Sequence, residues 1–245
     1  MMKAGYLKRG YLKRLIVLAC AITLMATGLA GTASASSPAD RIDEALQILK
    51  EMSRQEDFET MAYLLKKAHG VAIFPSVLKA GLMIGARHGK GLVLRRDPVT
   101  GAWYGPSFVE LTGLSWGPQI GVQSTSLVLV IANERGLKGF EEGKITLGGE
   151  LSVAAGPVGR HAEARTDIEL KAAIYSYSMS KGVFAGASLE GAKIDPDDSA
   201  NELYWGSKLS PDTILSGKAA DHRVRALVQE LDRLIYETNE LPRTL

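Results

Sequence analysis

The middle of the chain, from Val71 to about Ile194, consists of short apolar runs rich in valine, isoleucine and leucine and interrupted by glycine. Such runs, separated by turn-forming residues, predict about six to eight strands in a mostly antiparallel sheet. Glycine inside a strand permits tight bends, so we expect this sheet to curl strongly. The runs lie at 127–132, 144–155, 168–179 and 182–194, and the turn signals lie at 97–101, 156–157, 181–182 and 195–196.

Helical patterns precede this glycine-rich region. Ser37 is placed as an N-cap, with Pro38 at the first helical position and Asp40 in the first turn. A second helix is predicted over residues 57–68, with Gly70 ending it in the manner of a C-terminal glycine. The apolar stripe of the first helix consists of Ile42, Ala45, Leu46, Leu49 and Met52.

The C-terminal part returns to helix. Ser210-Pro211-Asp212 repeats the capping pattern of Ser37, and an apolar stripe from Val224 to Ile235 marks a final helix. A shorter helix at 134–140 interrupts the strands. The fold class is therefore predicted to be α+β, with a central curled, mostly antiparallel glycine-rich β-sheet flanked by N-terminal and C-terminal helices.

The first 35 residues are typical of a secretory signal. A basic stretch with no acid precedes the apolar run from Leu15 to Leu29, and Ala33-Ser34-Ala35 supplies a small-residue cleavage site. We expect an exported protein, periplasmic or associated with the cell envelope, in which a helix over 36–56 precedes a domain over 57–245. Lipoprotein processing at Cys20 and an uncleaved anchor are the alternatives.

Removal of this segment changes the charge balance. The whole chain has 29 Lys and Arg against 27 Asp and Glu, but the leader holds five of the cations and no acid, which leaves 24 against 27. A faintly acidic chain gives no reason to expect nucleic acid as a partner. Cys20 is the one cysteine of the chain, so the exported form has no thiol nucleophile, disulfide or cysteine metal site.

Residues 113–117, Gly-Leu-Ser-Trp-Gly, match the G-x-S-x-G pattern of serine hydrolases. That pattern requires a strand, a sharp turn at the serine and then a helix. Here Pro118 follows closely, and the sequence beyond it has the texture of a strand. We therefore interpret Ser115 as part of a glycine-rich strand and predict no catalytic residues and no enzymatic activity.

Other chemical patterns are weaker. The stretch "GARHGKG" (85–91) lacks the spacing and the Ser or Thr of a phosphate loop, and the four histidines lack metal-ligand spacing. Asp195, Asp197 and Asp198 are typical of a solvated turn, with a calcium site as the alternative. We predict no metal site and no cofactor.

The residues from Met61 to Arg96 include no acid but seven cations. Such a block in a faintly acidic chain is typical of a surface that docks on anionic material, and the apolar stretch at 71–85 within it favours lipid head groups. If this is the site, the seven side chains converge on one patch; the alternative is that they scatter over several faces. The predicted lipid-binding residues in the block are Lys66, Lys67, Lys79, Arg87, Lys90, Arg95 and Arg96.

Three stretches occurring in order, 101–123, 144–160 and 175–194, resemble the SYLF domain, also called the yeast-type actin-binding or Las17-binding domain. The combination of "AAGPVGR" (154–160) with "YSYSMSKGVFAGASLEG" (175–191) carries the resemblance. It implies binding to phosphoinositides, and to actin in fungal members, rather than catalysis. Arg160 is then a further candidate for a head group, or else it pairs with Glu163 or Asp167 to hold a turn.

The chain differs from eukaryotic members of that family in its export signal and in the absence of a companion module. The family's membrane-inserting helix is basic, whereas residues 38–52 carry nearly balanced charge. For an exported protein, anionic phospholipid of the envelope is a more natural partner than actin. A structural or adaptor role with a protein partner is the alternative.

Overall fold

Two long strands, β1 (Gly70–Arg96) and β2 (Trp103–Ile131), form an antiparallel hairpin around which the protein is built. The computed structural model describes residues 36–55, 57–158 and 171–237, with the backbone alone at 82–84, 115–120 and 237. From Ser37 onward, the described residues belong to one compact unit. The predicted signal segment lies outside the described residues.

Six helices and five further strands complete the described part of the chain. The helices are α1 (Pro38–Met52), α2 (Phe58–Lys67), α3 (Glu134–Glu142), α4 (Asp198–Trp205), α5 (Pro211–Ser216) and α6 (His222–Glu237). The strands are β3 (Ile145–Thr146), β4 (Val153–Ala155), β5 (Ile174–Ser180), β6 (Val183–Gly186) and β7 (Lys193–Pro196).

The β1–β2 hairpin folds back on itself. The peptide oxygen of His69 accepts a hydrogen bond from the backbone N–H of Arg96 at 2.8 Å, so the two ends of β1 lie side by side. A Cβ atom on Gly91 would lie 2.4 Å from the peptide oxygen of Ile73. Only glycine permits this approach, because the two halves of β1 pack backbone against backbone. The strong curl expected from the glycine content is confirmed.

The remaining strands extend this curled sheet. β5 pairs with the C-terminal part of β2, where Leu127 lies opposite Ser178, and β7 pairs with its N-terminal part, where Leu111 lies opposite Ile194. β3 adds to β7 and β6 adds to β5. Among the strand pairs of the described residues, only β4–β5 is parallel, so the mostly antiparallel sheet is confirmed.

Helices cover both faces of the sheet, and each face has its own apolar core. α1, α2 and α6 bury their stripes against one face, with Leu49, Leu65 and Leu227 fully enclosed. On the other face, Phe140 of α3 and Leu215 of α5 are buried. Each fully buried side chain of this size contributes about 1.5–3 kcal/mol of transfer free energy, so α1 is an integral part of the core.

The helix starts occur where the capping patterns predict them. The Ser37 hydroxyl accepts a hydrogen bond from the Asp40 N–H at 3.2 Å, and the Asp40 carboxylate accepts one from the Ser37 N–H at 2.9 Å. Ser210 caps α5 in the same manner. The predicted α+β class is confirmed, with helices at both ends of the sheet.

Two local predictions were wrong. Gly70 does not end α2, whose C-cap is Ala68; it begins β1, where a Cβ atom would lie 2.7 Å from the peptide oxygen of Leu94. Asp195 and Pro196 do not form a turn, because both belong to β7, which is held by pairing with β2. The predicted turn at 181–182 is confirmed, since Lys181 and Gly182 both have positive φ, as a tight hairpin requires.

Candidate functional site

The seven cations of the basic block lie at separate places in the fold rather than on one patch. Lys66 and Lys67 end α2 and lie close to Arg96 in the fold, whereas Lys79 is nine residues into β1, a distance of about 30 Å along an extended strand. The structure brings Lys79 together with Arg87 and joins Lys90 to carboxylates. Arg160, the eighth candidate, lies outside the described residues.

Arg96 is held inside the protein. Its Nη1 donates a hydrogen bond to the peptide oxygen of Lys66 at 2.8 Å, and its guanidinium lies 5.8 Å from the centre of the Trp103 ring. The side chain is buried between α2 and the start of β2. These contacts hold α2 against the sheet, so we interpret Arg96 as a structural residue.

Arg95 points to the opposite face from Arg96, because successive residues of a strand alternate. Its Nη1 donates to the peptide oxygen of Leu215 at 3.3 Å, and its guanidinium lies 4.7 Å from the centre of the Tyr104 ring. Lys67 is exposed, and its ammonium donates to the Tyr63 hydroxyl at 2.5 Å. Arg95 and Arg96, which are neighbours in the sequence, thus lie on opposite faces of the sheet.

Lys90 is neutralised by two carboxylates. Its ammonium lies 2.7 Å from the Glu110 carboxylate and 3.2 Å from the Asp197 carboxylate. The hydrogen bond to Glu110 raises the pKa of Lys90 against the opposing effect of burial. Asp197 is also bound by Arg41 of α1, and this buried link between distant parts of the chain has no signal in the local sequence.

Lys79 and Arg87 are brought together by the fold-back of β1, and we call them the fold-back pair. A Cβ atom on Gly89 would lie 3.1 Å from the Cα atom of Val77. Two residues closer to the bend on each arm, Arg87 therefore lies beside Lys79, and its charge acts on Lys79. Lys79 is two residues from the buried Val77, and Arg87 is two residues from the buried Gly89. Because side chains alternate along a strand, both project to the same side of the strand as those buried residues.

The fold-back pair lacks a counter-ion among the described residues. Arg87 is 9% exposed; its Nε donates to the peptide oxygen of Leu114 at 3.1 Å, and its Nη1 is buried without a hydrogen-bond partner in the described part of the chain. No described carboxylate forms an ion pair with either side chain. Burial lowers the pKa of Lys79, and the charge of Arg87 lowers it further. Such a pair favours an anion at this place.

Ser115 lies inside β2, where its backbone pairs with Gly85, and the chain remains extended as far as Ile131. A nucleophile elbow needs a sharp turn and a helix directly after the serine. The expectation of a glycine-rich strand is therefore confirmed. Residues 85–91 likewise belong to β1 rather than to a loop.

Asp197 of the predicted acidic cluster serves the fold. Asp197 caps α4 by accepting from the Ala200 N–H at 3.1 Å, besides its contacts with Arg41 and Lys90. Over residues 36–55, 57–158 and 171–237, no three His, Asp or Glu side chains are grouped as metal ligands. In the same ranges, no helix combines the length and the apolarity needed to traverse a bilayer.

The apolar stripe of α1 is not available for insertion into a membrane in this structure. Ile42, Ala45, Leu49 and Met52 are buried against the sheet and α6. Exposed large apolar side chains occur instead on the hairpin, at Leu78, Leu114 and Val122. The nearly balanced charge of residues 38–52 agrees with this docked position, since an amphipathic stripe can face a core as well as a bilayer.

Comparison with known proteins finds a family model and several curated relatives that match this chain. Residues 112–234 match the family model described as Ysc84, "Las17-binding protein actin regulator". Protein YSC84 of Saccharomyces cerevisiae is 40% identical over 173 residues, which are 67% of this chain and 36% of the yeast protein. The SH3 domain-containing YSC84-like protein 1 of Xenopus laevis is 38% identical over 169 residues, 66% of this chain and 50% of that protein.

LAS seventeen-binding protein 3 of Saccharomyces cerevisiae is 40% identical over 158 residues, 63% of this chain and 34% of the relative. The chain thus spans between a third and a half of the length of these relatives. The match of the family model covers half of the chain and includes β5, β6, β7 and the C-terminal helices. The resemblance seen in the sequence is confirmed, and the chain belongs to the Ysc84 family, the family of the SYLF domain.

Proposed function

We propose that this protein is a non-enzymatic lipid-binding protein that docks on anionic phospholipid through cations that have no counter-ion among the described residues. The observation that carries the proposal is the fold-back pair. Two cations, one of them nine-tenths buried, face each other with no carboxylate partner in the described residues. A lipid phosphate between them supplies the missing charge and accepts hydrogen bonds from both.

The energetics favour a membrane surface as the anion source. Each cation near an anionic bilayer contributes about 1 kcal/mol, and the contribution falls off within a Debye length. Lys67 is exposed, but it lies at the end of α2, about 30 Å of extended strand from Lys79, and is therefore not part of this site. Of the eight predicted residues, the proposal gives the main role to Lys79 and Arg87, whereas Lys90 and Arg96 are occupied by internal partners.

The proposed place of action is the cell envelope. The leader with its cleavage site supports export, and the phospholipids exposed to an exported protein include anionic ones. Phosphatidylglycerol, cardiolipin and phosphoinositides share the phosphate that the fold-back pair would bind. The proposal therefore names the anionic head group as the ligand class.

Vesicle flotation tests the proposal. The chain from Ser36 onward is mixed with vesicles of phosphatidylcholine alone or of phosphatidylcholine and phosphatidylglycerol in equal amounts. We expect flotation with the anionic vesicles that weakens as salt is raised, and little flotation with the neutral ones. Equal flotation with both, or none with either, contradicts the proposal.

A charge variant identifies the site. Lys79→Gln is expected to weaken binding to the anionic vesicles roughly fivefold, the equivalent of about 1 kcal/mol. Lys208→Gln removes the same charge from an exposed position after α4 and is the matched control. An equal loss in both variants indicates that bulk charge, rather than the fold-back pair, drives binding.

An adaptor role with a protein partner is the second candidate, because the printed names of the relatives describe Las17-binding proteins. Crosslinking in the intact envelope followed by mass spectrometry separates the two. A single dominant protein crosslink together with no vesicle flotation favours the adaptor. Flotation of the purified protein on pure lipid favours the first proposal.

A further inference from the structure

The bend of the β1–β2 hairpin exposes large apolar side chains. Leu78 is 49% exposed, Leu114 is 60% exposed and Val122 is 72% exposed. Single exposed apolar residues are common on protein surfaces, but a group of them on one element marks an interaction surface. To form such a surface, these three side chains must project from the same side of the ribbon.

The register of the hairpin places all three on the outer side of the two-stranded ribbon, with Leu78 and Val122 on one arm of the fold-back and Leu114 on the other. Val122 lies opposite Ala80, and Leu114 lies opposite Ala86. Directly opposite residues of an antiparallel pair project from the same side, and Leu78 is two residues before Ala80. These five residues are exposed, whereas the intervening Lys79 and Arg87 are less so. We call Leu78, Ala80, Ala86, Leu114 and Val122 the apolar ribbon face.

The surroundings of this face are cationic. The sequence has no Asp or Glu from 76 to 89 or from 111 to 133, whereas Lys79 and Arg87 lie in the first of these stretches. The β5–β6 hairpin lies beside this part of β2, because Ser180 Oγ donates a hydrogen bond to the Ser124 peptide oxygen at 3.4 Å. It adds a further cation and a further exposed apolar side chain. Its turn carries Lys181, and the exposed Val183 begins β6 directly after the turn.

Apolar side chains among cations, without acids, match the interface of an anionic bilayer. The apolar groups reach the upper acyl region while the cations meet phosphates. The backbone suits this environment too, because β1 and β2 pair from Lys79 opposite Gln123 to Leu82 opposite Ile120 and again from Ile84 opposite Trp116 to Arg87 opposite Gly113, with one register shift between the two stretches. Paired peptide groups enter a region poor in water at low cost.

We propose that the apolar ribbon face inserts into the interfacial region of an anionic bilayer, with Lys79 and Arg87 at the depth of the lipid phosphates. This inference rests on the proposed lipid-binding function and assigns the contact to the bend of the hairpin instead of the leading helix. The occupant is the bilayer itself, because the exposed apolar face lies within an acid-free, cationic region of the chain.

Site-specific fluorescence tests the inference. The chain from Ser36 onward contains no cysteine, so Leu114→Cys and Val122→Cys each carry one environment-sensitive label. Val99→Cys is the control, because Val99 is 91% exposed in the turn that joins β1 to β2, away from the bend. We expect the emission of the labels at 114 and 122 to shift to the blue on vesicles containing phosphatidylglycerol and to be quenched by acyl-chain-brominated lipid, with no change at 99.

Binding variants provide an independent readout. Leu114→Ser combined with Val122→Ser is expected to weaken flotation on the same vesicles roughly tenfold or more, given the apolar area lost. Val99→Ser combined with Leu203→Ser removes equally exposed apolar groups elsewhere and should leave binding unchanged. All four positions are exposed, so unchanged thermal unfolding verifies the fold of both variants.

The two proposals fail in different ways. If the unmodified chain floats on anionic vesicles but the labels at 114 and 122 do not respond, the ribbon inference is wrong and the lipid-binding function stands. The same holds if the double serine variant floats as well as its control. If the unmodified chain does not float, the proposed function is wrong and the inference falls with it.

Discussion

Arg41 of the first helix and Asp197 at the start of α4 form a buried ion pair, with Nη2 of Arg41 2.7 Å from the Asp197 carboxylate. The two side chains are 3% and 6% exposed. The same carboxylate also receives the ammonium of Lys90 from β1. One acidic group thus ties the leading helix, the hairpin and α4 together, which explains why α1 is docked rather than free.

Removal of this carboxylate should destabilise the protein strongly. Asp197→Asn leaves the guanidinium of Arg41 buried without its counter-charge, and we expect a loss of about 3–5 kcal/mol in the free energy of unfolding. Glu110→Gln is the control, because Glu110 pairs with Lys90 at a half-buried position and should cost about 0–1 kcal/mol. Urea unfolding followed by circular dichroism measures both. Similar losses in the two variants would argue against a dominant role for the buried pair.

The same pair predicts a dependence of stability on pH. Burial raises the pKa of Asp197, but the hydrogen bonds from Arg41 and from the Ala200 N–H outweigh it and hold the pKa below its ordinary value. The contribution is therefore complete above the unfolded pKa of about 3.9 and is lost as the pH falls through the lower folded value. The stability difference between the unmodified chain and Asp197→Asn should shrink in that acidic window. Urea midpoints measured from neutral pH downward test this, and a constant difference contradicts it.

The fold-back of the hairpin depends on glycine. In Gly91→Ala the new Cβ would lie 2.4 Å from the peptide oxygen of Ile73 and 2.6 Å from the ring of Phe74, so the two halves of β1 must separate. We expect a loss of about 1–3 kcal/mol, as for other overpacked cores. Gly149→Ala is the control, since its nearest neighbour lies at 3.5 Å. Thermal unfolding reports the difference, and an unchanged midpoint in Gly91→Ala would show that the halves can move apart freely.

Arg96 and Lys79 should separate stability from binding. Arg96→Gln removes a buried hydrogen bond to the Lys66 peptide oxygen and should lower the free energy of unfolding by about 1–3 kcal/mol, while the folded variant still binds anionic vesicles. Lys79→Gln should weaken binding to anionic vesicles and leave the free energy of unfolding unchanged. Arg225→Gln, at an exposed position of α6, should change neither property. If Arg96→Gln abolished vesicle binding without loss of stability, the structural role assigned to Arg96 would be wrong.

Much of the local structure could be predicted from short-range patterns. Ser37 with Asp40 and Ser210 with Thr213 form caps where the sequence places them, and Ser115 lies in a strand as its neighbours indicate. These features depend on residues a few positions apart, which is the range over which capping and side-chain alternation operate. The family could also be identified from the sequence, because its motifs are contiguous stretches.

The position of the cations could not be predicted in this way. Neighbours in sequence, Arg95 and Arg96, are separated by the sheet, whereas Lys79 and Arg87 become neighbours only when β1 folds back. The count of charges within residues 61–96 carries no information on which strand face each side chain occupies after a bulge in the ladder.

By itself, therefore, the sequence determined the capped helix starts at Ser37 and Ser210, the glycine content that permits the sheet to curl, and the family. Only the tertiary structure decided which charges are neutralised, as Lys90 is by Glu110 and Asp197, and which apolar side chains remain exposed, as Leu114 and Val122 do. The reason is physical. Local conformation follows from nearby residues, but burial and ion pairing depend on long-range register, which is set by the packing of the whole chain.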